Sequence, residues 1–474
     1  MRVNFLKLLG ASGIVMFLAT IDAPLLAQVA SARPDSGRAP LALREIIQRA
    51  TSQHPLIAAA RARVAAARGA RVTAGAFPNP VLTYSVENIA FPGRTPLNGI
   101  DRETQTYATL PLEPLIQRWG RVRSASDNVR AADADLLRAR QLVALDAARA
   151  FFRMAAAQVS VDASQDVHDR LAEIVVFNRA RVREGVAAEA DLIRTEVELD
   201  RVGAGVTLDR VELVRARAAL AAYIGVGPAR EAGETGPTDS LRVAIDPGSS
   251  GDSTLRSLAE FMQQARIRRP DIIAARARSA ALRSDVSVQR ALVVRQVGAT
   301  LGSKRAAGIT SMIAGISFPV PLFDQNRGEI ERAQGERLAA EQELVWTERS
   351  AAAEVRAAYD AARLLTEQAA RLGSSATGRA EESARIAVAA YQEGAISLLQ
   401  LLDATRTLAD ARVAYRRIQL SQQEGILELD AAVGGALLTS LAAPADAHPV
   451  VAPAAAPTPA PISSKSVDPP GDRR

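Results

Sequence analysis

Cysteine is absent from all 474 residues, so disulfides and Cys-ligated metal or redox centres are excluded. Histidine is nearly absent: His54, His168 and His448 share no HxxH or HExxH spacing, which leaves no local zinc catalytic motif. Aromatic residues make up only 4% of the chain, a content that suits thin walls better than a thick globular core. Lysine is scarce too. Only Lys7, Lys304 and Lys465 occur among 58 basic residues, so the pI of about 10.0 comes from Arg, and these Arg alternate with 52 acidic residues instead of clustering. That alternation argues against a nucleic-acid partner. There is no Walker A pattern, phosphate-cradling Gly loop or nucleophile and base set, so the sequence predicts neither an enzyme nor a cofactor.

Long apolar runs are missing, with one short exception. Arg2 and Lys7 flank the start of an apolar stretch at 8–19, and Ala30-Ser31-Ala32 supplies a small-x-small cleavage pattern, so 1–32 reads as a signal peptide. The stretch is shorter than the ~20 residues a spanning helix needs. With no Cys at the junction, no lipid anchor on an N-terminal Cys is expected. At the other end, 442–474 is Ala/Pro-rich and reads as a disordered tail.

What is present is a body written twice. Residues 43–68 align with 258–283, and 14 of the 26 pairs are identical, among them Glu45/Glu260, Gln48/Gln263 and Arg61/Arg276. Gly120 then matches Gly328, and Glu184-Gly185 matches Glu393-Gly394, in the same order. Three anchors in register mark a tandem duplication: a first repeat over 33–227, a Gly/Pro/Ser-rich linker over 228–255, and a second repeat over 256–441. Each repeat reads as helix, strand pair, very long helix, turn, helix. The strands are expected at 81–89, 104–112, 293–301 and 310–319, each near the length a tilted strand needs to cross a bilayer. Their loops are expected at 91–101 and 302–308. Residues 121–183 contain no Pro and no Gly, which permits a helix on the order of 90 Å. Its counterpart is expected over 327–371. Four strands per chain leave open edges that lipid does not tolerate, so oligomers must close the barrel; three copies give twelve strands.

These residues carry a resemblance. The strand exits Pro111-Leu112-Glu113-Pro114 and Phe318-Pro319-Val320-Pro321-Leu322-Phe323, with Tyr391-Gln392-Glu393-Gly394 and Leu401-Leu402-Asp403-Ala404, resemble the TolC family of outer-membrane efflux proteins. The resemblance implies a mainly α fold with membrane β: duplicated long-helix hairpins forming a trimeric α-barrel tunnel in the periplasm, below a 12-stranded outer-membrane barrel. It also implies a homotrimer, a periplasmic adaptor and an inner-membrane transporter of RND type. Asn79-Pro80-Val81-Leu82 and Val86-Glu87-Asn88 resemble the CzcC-like branch, which implies heavy-metal efflux. A drug-efflux or type I secretion exit channel is the alternative within the class, and a secreted structural coiled-coil protein the alternative outside it.

Gly185 and Gly394 interrupt the two long helical patterns at equivalent positions, so each is expected at the tip of a hairpin. By resemblance, Glu184, Gly185 and Val186, with Glu393, Gly394 and Ala395, face the adaptor. Asp403 and Gln400 match family positions that ring the periplasmic aperture. Asp191 and Tyr391 lie within two turns of a tip, and a phenol-to-carboxylate bond between neighbouring hairpins is expected there.

Overall fold

The computed structural model describes residues 40–89, 102–112, 114–186, 188–225, 241–244, 256–295 and 297–443. The expected signal peptide, the loop at 91–101, the tail beyond 443 and the linker apart from 241–244 lie outside the described residues.

Each repeat opens with a broken helix. α1 (Leu43–Gln53) and α2 (Pro55–Gly75) are separate because Pro55 has no N–H to continue the ladder, and the His54 ring nitrogen accepts from Leu56 N at 3.3 Å. The second repeat breaks in the same way at Pro270. Its pieces are α5 (Leu258–Arg268) and α6 (Pro270–Ala291).

Four strands follow in two pairs: β1 (Val81–Glu87), β2 (Glu103–Pro111), β3 (Gly298–Ala306) and β4 (Ile309–Ser317). They form one antiparallel sheet in the order β1-β2-β3-β4, with β2 against β3 joining the two repeats. The third strand corrects the expectation of 293–301. Val293 and Val294 have strand-like side chains but sit in a turn at the end of α6, and the strand runs on through Lys304 and Arg305. The expected loop at 302–308 shrinks accordingly to a turn at Ala307-Gly308. Gly302 is not a turn residue: it lies opposite Tyr107, where a Cβ would come within 2.4 Å of the Tyr107 Cβ. There a glycine marks close approach, not a reversal.

The long helices are α3 (Pro114–Arg183), 70 residues and about 105 Å, and α7 (Arg327–Gln392), 66 residues and about 100 Å. The second overruns its expected end at 371 by 21 residues, because helix packing along α8 outweighs the roughly 1 kcal/mol that an internal Gly costs. α4 (Glu189–Ile224) and α8 (Leu398–Val433) return for 36 residues each. α4 packs on α3 and α8 on α7, and the two hairpins meet where α3 packs on α8. No single helix among the described residues is long and apolar enough to cross a membrane.

The main core lies midway along α3, where Phe151, Phe152 and Met154 are buried among Ile46, Ile47, Leu220, Leu427 and Leu438 of α9 (Ala436–Ala442). Leu241 and Val243 join it, and Val243 bridges in parallel to Leu41. Toward the tips the core thins to small Ala-based clusters such as Ala380, Ala384 and Leu408.

Candidate channel lining and hairpin tips

The sheet has two different faces. Its register places Leu82, Tyr84, Val86, Leu110, Leu301, Met312 and Ile316 on one side by alternation, together with Thr104, Thr106, Ser303, Arg305 and Thr310. On the other lie Thr83, Ser85, Glu87, Glu103, Gln105, Thr109, Thr300 and Lys304. Most of the polar residues are tied to one another across strands. Gln105 donates to Glu87 at 3.0 Å, the Thr109 and Thr300 hydroxyls are 3.1 Å apart, and Lys304 pairs with Glu103. The second face also carries Val81, Tyr107, Ile309 and Ile313, so the two differ in balance: large apolar side chains dominate the first and paired polar groups the second, an asymmetry that suits lipid outside and water inside. Sequence reading missed Glu103 and Lys304 as lining residues, since their common face becomes visible only once the strands are paired.

The hairpin tips repeat one another bond for bond. Gly185 has φ 75° and Gly394 φ 76°, the left-handed region that favours glycine. Gly185 N donates to Val182 O and Gly394 N to Tyr391 O, both at 3.0 Å, while Val186 N reaches Arg181 O and Ala395 N reaches Ala390 O. This is a Schellman closure made twice. Glu184, Gly185, Val186, Glu393, Gly394 and Ala395 are all exposed, as a contact surface requires.

The aperture candidates divide. Asp403 and Asp191 are exposed, and neither carboxylate has a partner among the described residues. Gln400 is exposed but engaged: its Oε1 accepts from Ser397 N at 2.9 Å, and Gln400 N donates to Ser397 Oγ at 3.4 Å, a capping box at the start of α8. The expected Tyr391 to Asp191 bond is not made. Tyr391 is buried, and its hydroxyl donates to Asn178 Oδ1 at 2.8 Å, while Asn178 Nδ2 donates to Thr195 Oγ1 at 3.2 Å. Tyr391 points into the seam between α7 and α3, whereas Asp191 points out of it. Asn178 carries the signal that sequence reading overlooked: with Leu171 and Val175 it completes a buried stripe at helical spacing, and a polar group there needs a partner.

A second connection crosses the hairpins one to two turns further from the tips. Glu198 of α4 accepts from Arg201 at 2.6 Å and pairs with Arg406 of α8. The Arg201 hydrogen bond, reinforced by Arg406, holds the Glu198 carboxyl down at about 2. Beyond it, Arg412 of α8 bridges Glu381 of α7 at 2.9 Å and Asp166 of α3 at 3.4 Å. Held down at about 2, the Glu198 carboxylate keeps its charge near neutral pH, so its ties to Arg201 and Arg406 persist there. No group of His, Asp and Glu suited to hold a metal ion occurs among the described residues.

Residues 46–226 and 261–435 match the model of the outer membrane efflux protein family. The chain belongs to that family. The outer membrane efflux chain is 24% identical over 403 residues to the cobalt-zinc-cadmium resistance protein CzcC of Cupriavidus metallidurans, a match covering 85% of this chain and 92% of that one. It is 26% identical over 418 residues to the pyoverdine export outer membrane protein OpmQ of Pseudomonas putida, covering 83% and 86%. The crystal structure of the outer membrane protein VceC of Vibrio cholerae superposes with a TM-score of 0.66 at 20% identity, covering 83% of this chain and 96% of VceC. The fold is thus that of an outer-membrane channel, with the sheet in the membrane and the helical hairpins in the periplasm. An outer membrane efflux protein of this kind is a passive conduit, not an enzyme.

Proposed function

We propose that three copies of this chain form the exit duct of a tripartite efflux system that carries heavy-metal cations from an inner-membrane RND-type transporter, through a periplasmic adaptor, to the exterior. The observation that carries the duct is the pairing of a two-faced sheet with two hairpin tips of matching turn geometry about 100 Å away along α3 and α7. Among the described residues β1 and β4 have no second partner strand, and neighbouring copies supply it, closing twelve strands into a barrel. The tips meet the adaptor through Glu184 to Val186 and Glu393 to Ala395. Asp403, with Gln400, Asp191 and Tyr391 near it, borders the aperture, where three unpaired Asp403 carboxylates attract cations and repel anions.

Similarity to CzcC across most of both chains supports metal cargo. Similarity to OpmQ favours a second reading, the export of an organic chelator or drug. A strain lacking this gene separates the two. Under the metal reading it loses tolerance to cobalt, zinc or cadmium, the intact chain restores that tolerance, and Asp403→Asn restores it only in part. Unchanged metal tolerance with lost export of an organic compound selects the second reading.

A further inference from the structure

Exposed apolar side chains continue past the ends of the strands. On the more apolar face of the sheet, the last row toward the helices holds Leu110 and Ile316, both exposed. Past that row Phe77, Leu115, Ile116, Trp119, Phe318 and Phe323 also stand in the open, Trp119 at 82% and Phe323 at 100% exposure. On α3 the inward side is fixed by buried Gln117 and Ser124 and by Gly120, which abuts Val288 of α6. Leu115, Trp119 and Arg123 recur every fourth residue on the opposite side.

Charge at this junction is mainly basic. Residues 71–80 and 111–126 contain Arg71, Arg118, Arg121 and Arg123 against Glu113 alone. Arg118 donates to Gly75 O at 2.9 Å and lies over the Phe77 ring at 5.3 Å, and Arg121 donates to Ala74 O at 3.1 Å, so both secure the end of α2. Arg71 and Arg123 are exposed and have no acidic partner among the described residues. In the second repeat 286–295 and 318–327 hold Arg290, Arg295 and Arg327 against Asp324 alone, so a neighbouring copy brings basic surface to basic surface. Phosphates are the complement of both.

We propose that Phe77, Leu115, Ile116, Trp119, Phe318 and Phe323 form a collar seated in the periplasm-facing phospholipid leaflet of the outer membrane, with Arg71 and Arg123 at its phosphates. Aromatic rings at an interface and guanidiniums beside lipid headgroups are the favoured chemistry of that depth. The membrane-embedded part of the chain then extends beyond the strands into the first two turns of α3. This inference rests on the outer-membrane location and is independent of the cargo.

The chain supplies its own control, because it has two Trp. Trp346 is 71% exposed as well, yet it lies nineteen residues past the start of α7, about 28 Å along its axis. Trp346→Phe and Trp119→Phe each leave one reporter in the full-length channel, reconstituted in phosphatidylethanolamine and phosphatidylglycerol vesicles containing doxyl-labelled phosphatidylcholine. Trp119 emission is expected to fall about twofold or more, with a label near the headgroup more effective than one at the acyl terminus, while Trp346 is unaffected by either. Equal insensitivity of both Trp to the lipid quenchers puts the collar in a protein seam and overturns the proposal. Quenching of Trp119 that is strongest from the acyl terminus overturns the interfacial depth.

Discussion

The two hairpins share a backbone and differ in chemistry. α4 and α8 both have 36 residues, both follow a left-handed glycine, and the hydrogen bonds donated by the N–H groups of 184–186 recur 209 residues on at 393–395. Against that sameness, Ala188 stands where Ser397 stands, Asp191 where Gln400 stands, and Arg194 where Asp403 stands. The first hairpin starts its return helix with no side-chain cap and two acids, Glu189 and Asp191, in the first turn. The second starts with a closed capping box and no acid there. Duplication preserved the turn geometry at both tips, while the charge and capping of the helices that follow diverged. A trimer accordingly presents two kinds of tip.

The sameness is broken most severely at the glycines. Among the described residues, apart from its own chain neighbours, nothing lies within 4 Å of a Cβ built on Gly185 or Gly394, so a substitution there acts mainly through φ. An L side chain in that region costs about 1 to 2 kcal/mol, and a β-branched one more. Gly185→Val with Gly394→Val is expected to reshape both turns, abolishing efflux and adaptor cross-linking while heat-modifiable trimers still form. Cross-linking at the parental level in that double variant removes the tips from the adaptor contact. If one single variant is far more damaging than the other, the two tips are not functionally equivalent.

The pins between the hairpins come next in size. Tyr391→Phe leaves Asn178 Oδ1 buried without its donor, a loss of roughly 1 to 3 kcal/mol per chain, and is expected to raise open probability in planar bilayers. Glu198→Gln weakens the Arg406 tie and should act in the same direction, less strongly because Arg406 is exposed. The Glu198 carboxyl titrates lower in the folded chain than in the unfolded one. Its contribution is therefore complete above the ordinary carboxyl range, near pH 4.5, and is lost as pH falls toward about 2. The parent channel should keep the same conductance from pH 5 to 8. Asn178→Asp puts a titratable group into the Tyr391 link, and a new pH dependence in that variant alone places the link in the gate.

Much of this was legible in the sequence, for identifiable reasons. The duplication, the hairpin tips and four strands follow from repeated spacing, Gly chemistry and strand composition, all of them local. The errors come where a partner decides. Val293 and Val294 look like strand and belong to a turn, because pairing with β2 and β4 begins only at Gly298. Tyr391 was matched to a carboxylate by distance from the tip, but the phenol turns inward to Asn178, 213 residues earlier in the chain. Asp403 is an exposed acid that no group among the described residues engages.

The smallest effect tests the difference in stiffness between the two return helices. Ser397→Ala removes the acceptor for Gln400 N and opens the capping box, at a cost of about 1 kcal/mol. In so large an assembly that loss will not move global unfolding, but it will show locally, because the first turn of a helix opens on its own. Amide exchange over 398–401 should quicken about fivefold, the equivalent of that energy, with no change at 189–192. The converse graft, Ala188→Ser, gives α4 the cap that it lacks and should slow exchange at 189–192 by a smaller factor, since Glu189 and Asp191 already favour that helix end through the dipole. Equal exchange at both helix starts in the parent channel means that the capping box does not stiffen the second hairpin, and the two tips then differ in charge alone.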